Sequence, residues 1–354
     1  MESFTSRLAT ELLSCGHHPE VVTQRLPGEL AEEMVEGIAV HRFDFTESLD
    51  FRGDPRRAIH ALSKTTAAIA ALKQRVRPDI VHVNFTDGSP IFHVRTPSAW
   101  PSPTIVTFHA NLRNELHGAG VARTLLESAA RITAVSCFAA EHLVAAAGLE
   151  RDRIEVIAPG VRPSEYGPGA IPVSERDPNL LFIGRLAPGK GADIAIRALK
   201  EVDERVTLTL VGDGPERARL EQLVFDLRLG DRVHFLGEID TRRHPVLQQA
   251  FALIVPSDGD ELFGMVAVEA GLCAVPVIAS SIGGLAEIVE DGVTGYTVPP
   301  GDPAAIANAI RHLVENPARA QAMGNAGRDR ALRLYTAAGM FQSYLRLYRA
   351  CLPS

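Results

Sequence analysis

Short apolar runs alternate with longer amphipathic segments along almost the whole chain. The runs are continuous rather than alternating in polarity, which is typical of strands buried on both faces beneath helices. Strands that alternate with helices in this way form open parallel sheets. The predicted strands are residues 20–23, 38–43, 79–84, 104–109, 132–135 and 154–157 in a first series, then 180–183, 207–211, 233–236, 252–255, 275–279 and 295–298. Helical spacing is clear over 55–75, 189–200, 215–229, 303–315 and 335–350.

A break in composition separates the two series. Residues 158–178 contain five prolines and three glycines without periodicity, which indicates a linker. We therefore expect an α/β protein with two Rossmann-like, doubly wound domains, residues 1–165 and 166–334. A last helix, in 335–354, could cross back to the first domain. The carboxyl ends of both sheets would then face a central cleft, where helix N-termini and glycine-rich turns collect ligands.

Composition narrows the classes of function. Of the 354 residues, 46% are hydrophobic and 22% are charged, with a net charge of −7, so the chain is neither disordered nor basic enough for a nucleic-acid groove. The four cysteines lie too far apart for a disulfide scaffold or a metal site. No run reaches 18 apolar residues. These features predict a cytoplasmic protein and leave open a peripheral contact with the inner face of a membrane.

The first chemical motif is FIGRLAPGKG, residues 182–191, where a strand leads through a turn into a helix. Arg185 and Lys190 flank the turn at the carboxyl end of the strand. Two fixed cations beside a helix N-terminus suit a diphosphate, both when it binds and when it leaves with negative charge. An ordinary surface pair in a strand–helix turn explains this motif equally well when it is taken alone.

The second motif is PSDGDELFGMVAVEAG, residues 256–271. A helix is expected to begin near Phe263, so the N–H groups of Leu262, Phe263 and Gly264 would point at an anion. Glu261 precedes this helix and can accept hydrogen bonds from sugar hydroxyls, whereas Glu269 lies about two turns into it. The alternative is an acidic residue that complements the helix dipole, together with one solvated glutamate.

Together these motifs resemble the nucleotide-sugar-dependent glycosyltransferases of family 4, whose two-Rossmann architecture is called GT-B. The resemblance covers nearly the whole chain and is strongest over residues 180–300. It rests on five segments in the right order: Gly184 to Gly191, VGDGP at 211–215, VHFLG at 233–237, Glu261 to Glu269, and Gly283-Gly284 with Glu287. VGDGP alone is weak as a dinucleotide fingerprint, since its third glycine is absent.

The resemblance implies a role for each residue that matches the family motifs. Arg185 and Lys190 would neutralise the departing diphosphate, Glu261 would hold sugar hydroxyls, and Glu269 would hold the ribose. The implied catalytic residues are His109, Arg185, Lys190 and Glu261. The implied donor-binding residues are Gly184, Gly212, Gly237, Glu238, Ile239, Leu262, Phe263, Gly264 and Glu269, with the backbone of 237–239 meeting the base.

The likeness is thinner in the first domain. His109 ends a predicted strand and would contact the transferring sugar, as a histidine does in the family. Asn84 stands where that family usually has the second histidine of a His-x-His strand. Residues 1–12 resemble the first helix of the family, without the strand and Gly-Gly turn that precede it. We expect the natural reading frame to start about 15 to 25 residues earlier, one strand and its turn.

The sequence thus predicts a retaining glycosyltransferase that moves a sugar from a nucleoside diphosphate sugar to an acceptor hydroxyl on a glycolipid, a polysaccharide or a small natural product. We expect it to use no metal and no cofactor beyond the donor, and to bind no nucleic acid. Two alternatives are a GT-B protein that binds nucleotide sugars with impaired turnover, and a sugar-nucleotide epimerase. Release of nucleoside diphosphate when an acceptor is added distinguishes transfer from binding alone.

Overall fold

The computed structural model describes residues 2–50, 54–85, 89–109, 119–239 and 244–352. The chain divides into two compact units. The first unit comprises Met1–Val135, Ala139–Ile157 and Met340–Ser354, and the second comprises Ser136–Phe138 and Ala158–Gly339.

Strands and helices alternate through most of the described chain. The strands are β1 Glu20–Gln24, β2 Glu32–Val35, β3 Ile38–Phe43, β4 Val81–Phe85, β5 Thr104–Phe108, β6 Arg131–Ala134, β7 Ile154–Val156, β8 Asn179–Ile183, β9 Thr207–Val211, β10 Val233–Gly237, β11 Ala252–Val255, β12 Val277–Ser280 and β13 Gly295–Val298. The helices are α1 Glu2–Ser14, α2 Phe45–Leu49, α3 Pro55–Val76, α4 Ile91–Val94, α5 Ala119–Ser128, α6 Cys137–Ala147, α7 Ala192–Leu199, α8 Arg217–Asp226, α9 His244–Leu247, α10 Met265–Leu272, α11 Leu285–Ile288, α12 Pro303–Glu315, α13 Pro317–Leu334 and α14 Ala337–Cys351.

The second unit is built on a six-stranded sheet in the order β10-β9-β8-β11-β12-β13. Every neighbouring pair is parallel. Apolar side chains of these strands, such as Leu180, Leu208 and Ile254, are buried with helix residues in one core. The chain runs outward from β8 to β10 and then returns to the other side of β8 at β11. This reversal of strand order is the switch point at which open α/β sheets bind ligands, outside the carboxyl ends of the strands.

Within its described residues, the first unit has two sheets where the sequence predicted one. A four-stranded parallel sheet runs β4-β5-β6-β7, and β1, β3 and β2 form a separate three-stranded sheet. The expectation that strands 20–23 and 38–43 belong with the later strands was therefore wrong. The sequence pattern also missed β2, which pairs antiparallel to β3. This strand is mostly exposed and reads EEMV, so it has no apolar run.

The two terminal helices pack together in the first unit. Phe4 and Leu8 of α1 and Phe341 and Tyr344 of α14 are buried with Ile105 of β5 in one apolar cluster. The last helix thus shares a core with the beginning of the chain. The expectation of a further strand upstream of residue 1 stays a prediction. In the described residues, none of the helices combines the length and apolarity needed to cross a bilayer.

Candidate active site

The carboxyl edge of the second unit's sheet is joined by backbone hydrogen bonds between successive turns. The N–H of Gly184, after β8, donates to the carbonyl of Val211 at 3.0 Å, and the N–H of Gly212 donates to the carbonyl of Gly237 at 2.8 Å. These contacts line up the ends of β8, β9 and β10. Three of the four donor-binding glycines predicted from the sequence, Gly184, Gly212 and Gly237, therefore lie at one edge.

Two glycines on this edge allow backbone to approach backbone. Gly212 has φ of 134°, and an ideal Cβ there would lie 2.0 Å from the carbonyl oxygen of Gly184. Gly191 has φ of 71°, and its Cβ would lie 2.0 Å from the carbonyl oxygen of Pro256. Any other residue would clash with main-chain atoms and strain the turn. These glycines hold the loops after β8, β9 and β11 close together.

The loops after β8 and β11 carry a close ion pair. The N–H groups of Asp258 and Gly259 donate to the carbonyl of Gly189 at 3.2 and 3.1 Å. Beside this contact the ammonium of Lys190 lies 2.6 Å from Oε2 of Glu261, with the two side chains 39% and 19% exposed. The predicted diphosphate cation and the predicted sugar-binding carboxylate are thus bonded to each other. This pairing could not be predicted from the sequence, because 71 residues separate the two side chains.

Arg185 also lies at this edge, and its side chain is exposed. Among the described residues its guanidinium has no ion-pair or hydrogen-bond partner. Of the two predicted diphosphate cations, Arg185 is thus unengaged in the described chain and Lys190 is held by a carboxylate. An exposed guanidinium is suited to bidentate recognition of phosphate.

Helix α10 begins at Met265 rather than near Phe263. Gly264 caps it with φ of 107°, and an ideal Cβ there would lie 2.5 Å from a methyl carbon of Leu285. The N–H groups of Leu262 and Phe263 consequently belong to the loop before the helix. Within the described chain, neither these two groups nor the N–H of Gly264 donates a hydrogen bond. A short run of N–H groups is thus left for an anion, although the helix starts later than predicted.

Glu269 is the fifth residue of α10, so it lies little more than one turn into the helix rather than two. Its side chain is only 5% exposed, and the alternative of a solvated glutamate was therefore wrong. A buried carboxylate costs folding free energy unless it is paired or hydrogen-bonded. After β10, Glu238 is exposed and Ile239 is half-buried.

His109 belongs to the first unit, directly after β5, whereas Arg185, Lys190 and Glu261 belong to the second. Its Nε2 lies 3.0 Å from Oδ1 of Asn84 at the end of β4. The ring of Phe4 meets the imidazole edge-on at 4.6 Å. Burial lowers the pKa of His109 to about 4, so the ring is neutral near pH 7. The partner Asn84 was noted in the sequence only as a departure from the family pattern.

The described part of the chain contains no cluster of three or more His, Cys, Asp or Glu side chains arranged to hold a metal ion.

Comparisons with known proteins agree with this architecture. A family model described as Glycosyltransferase Family 4 matches residues 1–165. One described as Glycosyl transferases group 1 matches residues 169–330. A D-inositol 3-phosphate glycosyltransferase of Nocardia farcinica is 27% identical over an alignment of 383 positions, which covers 97% of this chain and 84% of that protein.

Two further matches are informative. A GDP-mannose-dependent alpha-(1-6)-phosphatidylinositol monomannoside mannosyltransferase of Mycolicibacterium smegmatis is 36% identical over 204 residues, 55% of this chain and 52% of that protein. A solved structure of a sucrose-phosphate synthase from Thermosynechococcus elongatus superposes with a TM-score of 0.83 and 27% identity, covering 98% of this chain and 92% of that one.

The two Rossmann-like units and these matches define a class of enzyme, the glycosyltransferases of GT-B architecture. Within that class, the chain belongs to glycosyltransferase family 4. The fold class, the family and the enzyme class predicted from the sequence are thereby confirmed.

Proposed function

We propose that this glycosyltransferase takes its sugar from a nucleoside diphosphate donor and transfers it, with retention of anomeric configuration, to an acceptor hydroxyl. The position of Arg185 and Lys190 carries the proposal. Both follow β8, where the strand order reverses, and Lys190 contacts Glu261 from the loop after β11. The name of the mycolicibacterial relative, which specifies GDP-mannose, supports a nucleotide-sugar donor.

In this proposal the protein's own cations balance the charge of the leaving diphosphate. Arg185 is exposed and ready to contact a phosphate, while Lys190 exchanges its carboxylate partner for the diphosphate. The N–H groups of Leu262, Phe263 and Gly264 add donors to the same anion. Donors fixed in place before the charge develops stabilise a transition state more than mobile water does.

The sugar and the nucleoside are assigned to the two glutamates. Once Lys190 has turned to the diphosphate, the carboxylate of Glu261 is left to accept hydrogen bonds from donor-sugar hydroxyls. Glu269 holds the ribose, and the backbone of Gly237, Glu238 and Ile239 meets the base. Retention is proposed from family membership, with the acceptor oxygen attacking the anomeric carbon from the face that the diphosphate leaves and passing its proton to a departing phosphate oxygen.

The donor can be identified by thermal shift with UDP-, GDP- and ADP-sugars, since a ligand that binds only the folded state raises the melting temperature. Release of nucleoside diphosphate is then measured with a panel of acceptors. The panel includes inositol phosphates and phosphatidylinositol mannosides, which the names of the relatives suggest. The anomeric proton coupling of the first product, read by NMR, tests retention.

Each outcome separates the proposal from its alternatives. Acceptor-dependent release of nucleoside diphosphate supports transfer. A donor that binds without release for every acceptor supports a nucleotide-sugar-binding protein. Conversion of the bound sugar while it stays attached to the nucleotide supports an epimerase. An inverted product would retain the donor assignment and overturn the stereochemical one.

A further inference from the structure

Polar side chains cross one face of the four-stranded sheet of the first unit. His82 and Asn84 are two residues apart on β4, and therefore point to the same face. The imidazole of His82 lies 2.7 Å from the hydroxyl of Thr107 on β5 and 2.7 Å from that of Tyr348 on α14. Asn84 contacts His109, two residues beyond Thr107. His109 therefore sits at the end of an ordered polar row.

The amide of Asn84 is contacted on both sides. Its Nδ2 lies 3.3 Å from the hydroxyl of Thr5 on α1, and its Oδ1 lies 3.0 Å from Nε2 of His109. A carbonyl oxygen can only accept a hydrogen bond, so in this orientation of the amide Nε2 carries the proton. In a neutral imidazole the other nitrogen, Nδ1, then holds a lone pair and acts as an acceptor.

The surroundings of His109 keep the ring neutral. The face toward α1 meets the apolar ring of Phe4. The titratable neighbour on β4 is His82, whose pKa is lowered to about 3 by burial and by the nearby His109, so it carries no charge near pH 7. The imidazole of His109 therefore has no anionic neighbour in the described chain that would favour a second ring proton.

We propose that Asn84 is a positioning residue that holds His109 in the tautomer with its proton on Nε2, so that Nδ1 accepts a hydrogen bond from a sugar hydroxyl during transfer. The identity of that hydroxyl rests on the proposed function. The tautomer itself does not, because it is inferred from the contact between Oδ1 of Asn84 and Nε2 of His109 and can be measured without a substrate.

The tautomer is tested on the whole protein by ¹⁵N NMR of histidine-labelled chain, with the His109 signals identified by their loss in His109→Gln. We expect Nε2 to be protonated and Nδ1 unprotonated near pH 7, and Asn84→Ala to give a mixture of tautomers. Thr133→Val is the matched control, since it removes a buried hydroxyl bonded to Thr107 without touching His109. A proton on Nδ1 in the wild-type chain, or an unchanged tautomer in Asn84→Ala, would overturn the proposal.

A second measurement separates positioning from simple structural support. Asn84→Asp keeps an acceptor in place but adds a negative charge, which raises the pKa of His109 and stabilises the imidazolium. We expect the acid limb of the pH profile of kcat to move to higher pH in Asn84→Asp and to stay in place in Thr133→Val. Asn84→Ala should lower kcat about 10- to 100-fold with a smaller change in KM, the size of effect seen when an orienting partner is lost.

The NMR measurement and the kinetic measurement distinguish failure of the positioning proposal from failure of the proposed function. If the wild-type chain transfers no sugar, the proposed function fails, and the NMR spectra still decide the tautomer. If transfer proceeds and the Asn84→Asp profile superimposes on that of the wild type, His109 does not act through Nδ1. The positioning proposal would then be wrong while the proposed function stands.

Discussion

At the scale of single residues, Lys190 is expected to matter for turnover far more than for stability. Replacing it by alanine in Lys190→Ala removes one cation that would face the departing diphosphate, and loss of one such donor costs about 100-fold or more in kcat. Its side chain is 39% exposed, and a partly exposed ion pair contributes at most about 1 kcal/mol, so the melting temperature should change little.

Lys200→Ala is the matched control for that experiment. Lys200 is an exposed lysine of the same unit that reaches only a backbone carbonyl, that of Leu227 at 3.4 Å. We expect near-normal rates of nucleoside diphosphate release from it. Equal rates in the two variants would show that Lys190 does not stabilise the leaving group.

The pairing of Lys190 with Glu261 leads to a second expectation. In the variant Glu261→Gln, the lysine no longer has to leave a carboxylate before it can meet a phosphate. The free nucleoside diphosphate should therefore bind about two- to fivefold more tightly, the equivalent of a partly exposed ion pair worth up to about 1 kcal/mol. Discrimination among sugars carried on one nucleotide should fall. Calorimetry with the nucleotide alone and with several nucleotide sugars measures both effects.

Glu269→Gln provides the contrast, because that carboxylate is assigned to the ribose and is buried. It should weaken binding of the free nucleoside diphosphate, in the opposite direction to Glu261→Gln. If both variants weaken binding of the free nucleotide equally, the division of roles between the two glutamates is wrong.

At the scale of elements, the turn after β9 depends on Gly212. In Gly212→Ala, the new methyl group would sit 2.0 Å from the carbonyl oxygen of Gly184 in a left-handed backbone conformation. We expect a loss of about 2–4 kcal/mol in unfolding free energy from strain and backbone displacement. Donor affinity should fall as well, since Gly184 carries the loop to Arg185.

Gly230→Ala is the control, because nothing lies within 4 Å of an ideal Cβ at that position. Urea unfolding of the two variants compares them directly. A stable Gly212→Ala chain with unchanged donor affinity would contradict the backbone contact at this edge.

Several elements with a clear apolar pattern were predicted from the sequence with correct bounds. The bounds of β3, β9, β11, β13 and α12 agree with the prediction to the residue. The exposed edge strand β2 was missed, and α13 was missed because its apolar residues do not dominate one face. Membership of a sheet could not be predicted in the first unit either. A strand's own pattern reports burial, whereas its partner depends on contacts that are distant in the sequence.

In the candidate site, too, local features could be predicted from the sequence and long-range contacts could not. Arg185, Lys190, Glu261 and Glu269 could be placed at a sheet edge because each motif begins where a strand ends. The contact of Lys190 with Glu261 could not be predicted, since it depends on the paths of two separate loops and on the close approach that Gly189 and Gly191 permit. The contact of His109 with Asn84 depends on the register of β4 against β5.

At the scale of the whole molecule, the two units should respond differently to acid. Burial lowers the pKa of His82 to about 3 and those of His93 and His109 to about 4, with Lys73 adding to the effect at His93. All three belong to the first unit.

The direction of this response follows from proton linkage. An unfolded histidine gains its proton near pH 6.5, while these three stay neutral in the folded chain until the pH is much lower. The stability that these neutral histidines contribute is complete above about pH 6.5 and is lost as the pH falls toward 4. Near pH 5 each of them has lowered the free energy of unfolding by on the order of 1–2 kcal/mol. The first unit should then unfold at a lower denaturant concentration than the second.

Trp100, the single tryptophan, lies in the first unit and reports on it alone. We expect the urea midpoint of its fluorescence to fall between pH 7 and pH 5, while hydrogen exchange of β8 to β13, corrected for intrinsic rates, stays slow. His93→Gln removes one titrating ring. It should lower the number of protons taken up on unfolding by about one, and so make the pH dependence less steep. His60→Gln changes an exposed histidine of the same unit and should leave the dependence as it is. Coincident loss of protection in both units at every pH would show that the chain unfolds as one cooperative body, and the histidines of the first unit would then destabilise the whole molecule together.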